Sequence, residues 1–313
     1  MAALALAVAM IEPHLGLAAC ISLFVYRPRS RATLVALGVA AVAVSVVALS
    51  PATALEYVRE TLPVHARAEV TAADQYSLTW LAHVAGADDR LAVTLGSISY
   101  AMFVTLGVVL APIVARRSTS TAQLILFPTA ASMLFGTFIH DIQIPAALPA
   151  VLVYTGRTKS IWGWIATTAL AVSWQPWWMT NRLIDGVSAL AVGTIAWFIL
   201  APSLAARARN IALAIATYAV LTIALTHIPA TTALGPPPGP WPRLDAIPAT
   251  AESSLNWGAH IRETGGPHIA NVQSLASKAF VWSILAGFLL LAVRRRPSEE
   301  PPRVVCVVAR EAT

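Results

Sequence analysis

Three short stretches hold side chains that could do chemistry in an otherwise apolar chain: Glu12-Pro13-His14, Asp74-Gln75-Tyr76-Ser77 and His140-Asp141. A carboxylate beside an imidazole can move a proton near neutral pH. Amides and hydroxyls can bind a polyhydroxylated ligand by donating and accepting hydrogen bonds. The third stretch lies inside "MLFGTFIHDIQIPAALPAVLVYTGR", residues 133–157, which is apolar enough for a bilayer except at His140, Asp141 and Gln143. Ionisable groups at such depth are functional candidates by default. Each also has a plainer role: Asp74 as the cap of a following helix, His140 as an interfacial histidine. The separation of His14 and His140 carries no metal-ligand signature, and no HExxH, GxGxxG or phosphate-loop pattern occurs.

The elements around these residues are read from composition. The chain has 313 residues, of which 57% are hydrophobic and 12% charged, with a mean hydropathy of +0.69. Soluble domains carry about 25% charged residues, so the expected class is an all-α, polytopic membrane helix bundle. Apolar runs cover Leu15–Tyr26, Ala32–Leu49, Leu91–Val114, Leu124–Phe138, Ile142–Tyr154, Ile161–Trp174, Val187–Leu200, Ile211–Ile228 and Ala279–Val293, with a further run at Ala2–Ile11. Several fall short of the roughly 20 residues that cross a bilayer upright. The expectation is therefore about nine to ten transmembrane or half-spanning helices.

Charge fixes the direction of crossing. Arg27/Arg29/Arg31, Arg116/Arg117, Arg157/Lys159, Arg207/Arg209 and Arg294–Arg296 occupy alternate connections and contain no acid. The acidic residues gather in the connections between them. Positive loops stay in the cytoplasm, which predicts a multi-pass cell-membrane protein with a cytoplasmic C-terminus. It also accounts for the net charge of +6 without a nucleic-acid partner. Cys20 and Cys306 form no disulfide framework. "LAAC" at 17–20 resembles a lipoprotein cleavage box, but no positive residue precedes it and apolar sequence follows, so it reads as helix.

The chain divides into a membrane region at 1–157 with an outer loop at 50–90, a set of C-terminal transmembrane helices at 158–293 with an outer Pro/Gly-rich loop at 229–277, and a tail at 294–313. Loop 50–90 contains "ATALEYVRETL" and "SLTWLAHVAG", whose apolar spacing predicts surface helices lying flat on the membrane. The His140-Asp141 turn joins two short helices and is expected to be sunk below the outer surface, where an irregular backbone is tolerated only if it lines a protein cavity.

Several of these pieces, in this order and spacing, resemble glycosyltransferase family 87: "IEPHLGLAACISLFVYRPRSRATLVALGVAAVAV", "ALEYVRETLPV", "DQYSLTWLAHVAG" and "FIHDIQIPAALPAVLVY". The resemblance spans about residues 10–157. It implies a GT-C fold and transfer of a hexose, mannose among the candidates, from a polyprenyl-phosphate donor to a lipid or glycan acceptor on the outer face. It further implies that His14, Asp74, Gln75, Ser77, His140 and Asp141 border the substrate cavity. Membrane lipids are the surrounding partner. No cofactor is implied, since the donor phosphate is itself the leaving group.

Two departures bear on this. Glu12 stands where the family usually has Lys, and Asp74 where it has Asn. The family's first outer loop, whose acid serves as general base, has no counterpart in the chain. The expectation is thus the C-terminal part of such an enzyme, a chain with a misassigned start, or a degenerate relative, and an acidic loop encoded in frame upstream separates these. The rival readings are a transporter or lipid flippase, disfavoured by the absence of a repeat and by one-sided ionisable residues, and a non-catalytic membrane subunit.

The alternating charges generate one direct test. A single cysteine introduced at Ala72, with Cys20 and Cys306 replaced by Ser, is expected to react with a membrane-impermeant maleimide in intact cells. Labelling only after lysis overturns the topology.

Overall fold

The computed structural model describes residues 12–70, 75–158, 162–163, 165–167, 170, 208–209, 212, 216 and 272–294. Among these residues every regular element is helical. The one β-type pairing is an isolated antiparallel bridge between Gln75 and His140. Asp74, most of 158–293 and the tail beyond Arg294 lie outside the described residues.

Helix α1, Pro13–Tyr26, has proline in its first turn, where the missing N–H costs nothing. It runs unbroken through Cys20. Arg31 covers its C-terminus, donating to the carbonyls of Phe24 (2.8 Å) and Val25 (3.3 Å), where a cation suits the helix dipole. Helix α2, Arg31–Leu49, follows and has no buried residue. Five of its valines stand open, from 54% at Val35 to 85% at Val47. Two helical stretches among the described residues are long and apolar enough to cross a membrane: Pro28–Leu49, 22 residues, and Asp89–Arg117, 29 residues.

The first half of loop 50–90 is helical throughout. Pro51–Glu56 (α3) passes through a wide π-helical turn at Tyr57–Thr61 into Leu62–Glu69 (α4). Pro63 explains the turn, because its ring would clash with the Arg59 carbonyl and it has no N–H to give. Leu55, Tyr57, Val58 and Leu62 are exposed along this stretch, as a surface helix requires. The second half differs from the flat surface helix the periodicity predicts. Helix α5, Leu78–Val84, buries Thr79, Trp80 and Ala82, because Trp80 is drawn into the main core beside Tyr76.

Asp88 caps the long helix α6, Asp89–Arg117, by accepting from Leu91 N at 2.9 Å. Its buried face, with Ala92, Gly96, Ser99, Gly107 and Ala111, is mostly small residues, which lets neighbours come close. A Cβ on Gly107 would lie 2.8 Å from Ala131 Cβ. Ala131 belongs to α7, Gln123–Ser132. The chain then leaves the helix for an irregular turn through residues 133–140, with Phe135 at φ 55°. A 3-10 helix, Asp141–Ala147, leads into α8, Leu148–Thr158. The apolar run 124–138 is thus helical only to Ser132, and Pro145 keeps the following run from starting as an α-helix.

Helix α9, Val272–Arg294, begins before the apolar run that marks it and takes in the end of the expected loop 229–277. Its Trp282, Leu285 and Phe288 share one core with Tyr76, Trp80, Phe127 and Tyr154. The stretch after residue 157 therefore contributes to the same core as the stretch before it.

Prolines inside α6 and α7 leave two carbonyls without their helical donor, and α1 supplies both replacements. Pro112 frees the carbonyl of Val108, which accepts from Tyr26 Oη at 2.7 Å. Pro128 frees that of Leu124, which accepts from Ser22 Oγ. Buried carbonyls need such partners. Tyr26→Phe should therefore lower stability by about 1–2 kcal/mol, as an unmade buried hydrogen bond does. In a Pro112→Ala background the restored N–H of residue 112 satisfies Val108, so the same substitution should cost less. Equal losses in the two backgrounds, measured by thermal unfolding in nanodiscs, would refute the assignment.

Candidate functional site

The site grows from the bridge between residues 75 and 140. Tyr76 N donates to Ile139 O at 2.5 Å and Leu78 N to Gly136 O at 3.2 Å, so the stretch entering α5 is zipped to the turn after α7. Ser77 caps α5, its Oγ accepting from Trp80 N at 3.1 Å, as a serine at that position is suited to do. The same Oγ donates to Gln75 Oε1 at 2.7 Å. Gln75 turns its amide nitrogen to the end of α4, donating to Glu69 O and, at 3.4 Å, to Glu69 Oε2.

Two carboxylate–imidazole pairs stand on this floor. His140 Nε2 lies 3.5 Å from Glu69 Oε2, with side chains 23% and 17% exposed. His14 Nε2 lies 3.3 Å from Glu12 Oε2, at 28% and 53%. Gln143 links the pairs. Its Oε1 accepts from His140 N at 2.9 Å, and its Nε2 donates to Glu12 Oε2 at 3.2 Å. A continuous polar path thus runs Glu69–His140–Gln143–Glu12–His14 through residues 131 positions apart at Gln143 and Glu12. Tyr100 Oη, from α6, fixes the entry of α1 by donating to His14 O at 2.9 Å.

Of the residues expected from sequence, His14, Gln75, Ser77, His140 and Asp141 come together here, while Asp74 lies outside the described residues. Their roles separate by depth. Gln75 and Ser77 are fully buried and engaged by protein, so they form the floor of the site. Asp141 is 4% exposed and accepts from Ile142 N at 2.6 Å, holding the start of the 3-10 helix. The partly exposed side chains are those of the two pairs, with His14 Nε2 itself buried.

Sequence reasoning missed Glu69 and Lys278 as members of the site and noted Gln143 only as a polar interruption of the apolar stretch 133–157. Lys278 is fully buried on α9 and donates from Nζ to Gln75 O at 2.6 Å. A signal for it exists, since it is one of only two lysines in a chain that otherwise uses arginine. Glu69 carries no such mark, and nothing local shows that Glu69 meets His140 or that Gln143 meets Glu12, because these partners are remote in sequence. Among the described residues no set of three His, Cys, Asp or Glu converges as a metal site would require. Each carboxylate–imidazole pair can instead hold or exchange a proton and accept hydrogen bonds from hydroxyl groups, while Gln143, an amide bonded to the His140 backbone N–H, ties the two pairs together without relaying a proton.

Comparison of the chain with protein family profiles, curated proteins and solved structures finds no match.

Gln143 is 7% exposed, and replacing its amide by an apolar group of similar length strands the His140 N–H. Gln143→Met should lower stability by about 1–3 kcal/mol, the usual penalty for a buried unsatisfied donor. Urea unfolding with an unchanged midpoint would show that the bridge contributes nothing.

Proposed function

We propose that the protein is a multi-pass membrane glycosyltransferase of GT-C type that moves a hexose from a polyprenyl-phosphate donor to a hydroxyl of a lipid or glycan acceptor on the outer face. One observation carries this reading. The segments quoted for the family 87 resemblance supply His14, Gln75–Ser77 and His140–Asp141, and these residues, remote in sequence, meet around one polar path. The apolar surface of α2, which has no buried residue, supports a lipid surrounding, since such a face is costly in water.

In this reading Glu69 takes the acceptor proton and His140, 3.5 Å away, orients its carboxylate. The acceptor oxygen bonds to the anomeric carbon as the bond from that carbon to the phosphate oxygen breaks. The phosphate leaves with the electron pair, giving polyprenyl phosphate and the glycosylated acceptor. Glu12 and His14, coupled to His140 through Gln143, bind sugar hydroxyls. Glu12 is suited to a neutral hydroxyl and poorly suited to a phosphate, because like charges repel. Glu69 supplies an acid independent of the family's first outer loop.

The test is transfer of radiolabelled hexose from polyprenyl-phosphate donors by the full chain in nanodiscs. Glu69→Gln and His140→Ala should each insert and fold, with Glu69→Gln lowering kcat by about 10²–10⁴-fold, the usual contribution of a general base. A wild-type chain inactive with every hexosyl donor, or a Glu69→Gln variant with full activity, defeats the reading.

A further inference from the structure

The buried cation of α9 is an expensive feature in search of a reason. An ammonium group removed from water is tolerated only where its charge and N–H groups are well compensated. Lys278 Nζ donates to Gln75 O at 2.6 Å. It also sits 4.7 Å from the centroid of the Tyr76 ring and 4.3 Å from that of Trp80, within cation–π range. Four residues on, the same face of α9 carries Trp282, whose Nε1 donates to Tyr76 O at 2.9 Å. Consecutive carbonyls, Gln75 and Tyr76, are thus held by donors one helical turn apart.

The other side of that stretch is the site. The N–H groups of Tyr76 and Leu78 pair with Ile139 and Gly136, and the Gln75 side chain reaches Glu69. The stretch is clamped between α9 and the turn that carries His140. Lys suits the position better than Arg, because a compact ammonium on a flexible stem reaches one carbonyl between two rings more readily than a planar guanidinium does.

We propose that Lys278 is a positioning residue for the Glu69–His140 pair, acting through the Gln75 carbonyl, so that α9 is a working part of the site and not only a membrane anchor. Its effect on geometry stands by itself, while its effect on sugar transfer rests on the reading above. A charge-assisted hydrogen bond is stronger than a neutral one, which explains a lysine where a neutral donor could meet the carbonyl.

The test is hydrogen–deuterium exchange of the full chain in nanodiscs. Lys278→Met should speed exchange in peptides covering 75–80 and 136–143 and leave those covering 108–117 unchanged. Lys278→Arg should recover part of the protection, and Trp282→Phe, which removes the N–H to Tyr76 together with part of a buried ring packed against Phe135, should loosen the same two segments to a smaller degree. If Lys278→Met fails to fold, the Arg and Phe variants decide. In transfer assays Lys278→Met should lower kcat/KM by about tenfold to a hundredfold, as displacement of reacting groups does. A purely structural lysine would reduce the amount of folded protein and leave the KM of the remainder unchanged. Wild-type exchange at 75–80 and 136–143 in folded Lys278→Met, or in Trp282→Phe where the Met variant does not fold, overturns the inference. Altered exchange with a wild type inactive toward all hexosyl donors defeats the function reading and leaves the positioning role standing.

Discussion

Every carbonyl and N–H released by a break in a helix must find a partner inside the protein, and this requirement organises the described structure. The chain interrupts its helical hydrogen bonding often, at Pro63, Pro112, Pro128 and Pro145 and in the turn through residues 133–140. Each break would be costly in an apolar interior. Ser22 and Tyr26 answer the breaks at Pro128 and Pro112, which binds α1 across α6 and α7. The turn after α7 is answered by the stretch before α5. The packing of four helices thus follows from where backbone groups were left without donors.

The polar site is a by-product of the same requirement. Pairing Gln75 with His140 brings the end of α4 beside the start of the 3-10 helix, and Glu69 beside His140 with it. Fixing the start of α1 through Tyr100 brings Glu12 and His14 to the other side of Gln143. The buried members, Gln75, Ser77 and Asp141, have their hydrogen bonds met within the protein and stiffen the floor. The partly exposed members carry ionisable groups. This division separates a floor whose hydrogen bonds are met within the protein from a rim of partly exposed ionisable side chains, and it fixes the rim on a stiff base.

Charge is distributed unusually. A negative group stands at position 12 at the rim, and Lys278 is buried on α9 against the rings of Tyr76 and Trp80. A ligand approaching the rim meets carboxylates and imidazoles first. That arrangement favours hydroxyl donors over bare anions at this point of the surface.

The sequence by itself determined the helical class, because apolar runs without β-type alternation and with proline and arginine punctuation leave little else. Its apolar runs at Leu15–Tyr26, Ala32–Leu49 and Leu91–Val114 fall inside α1, α2 and α6 and within three residues of their ends, and it marked His14, Gln75, Ser77 and His140 as chemistry-bearing. Only the tertiary structure decided which of these touch and which are covered. Trp80 turns α5 inward although its local periodicity reads as a surface helix, because burial of a large ring in a shared core outweighs a local pattern. Glu69, Gln143 and Lys278 join the site through contacts with residues far along the chain, the longest linking Lys278 to Gln75 across 203 positions. No local spacing encodes such a contact. It arises from the paired backbone of two irregular segments, whose register is fixed only when the helices around them have packed.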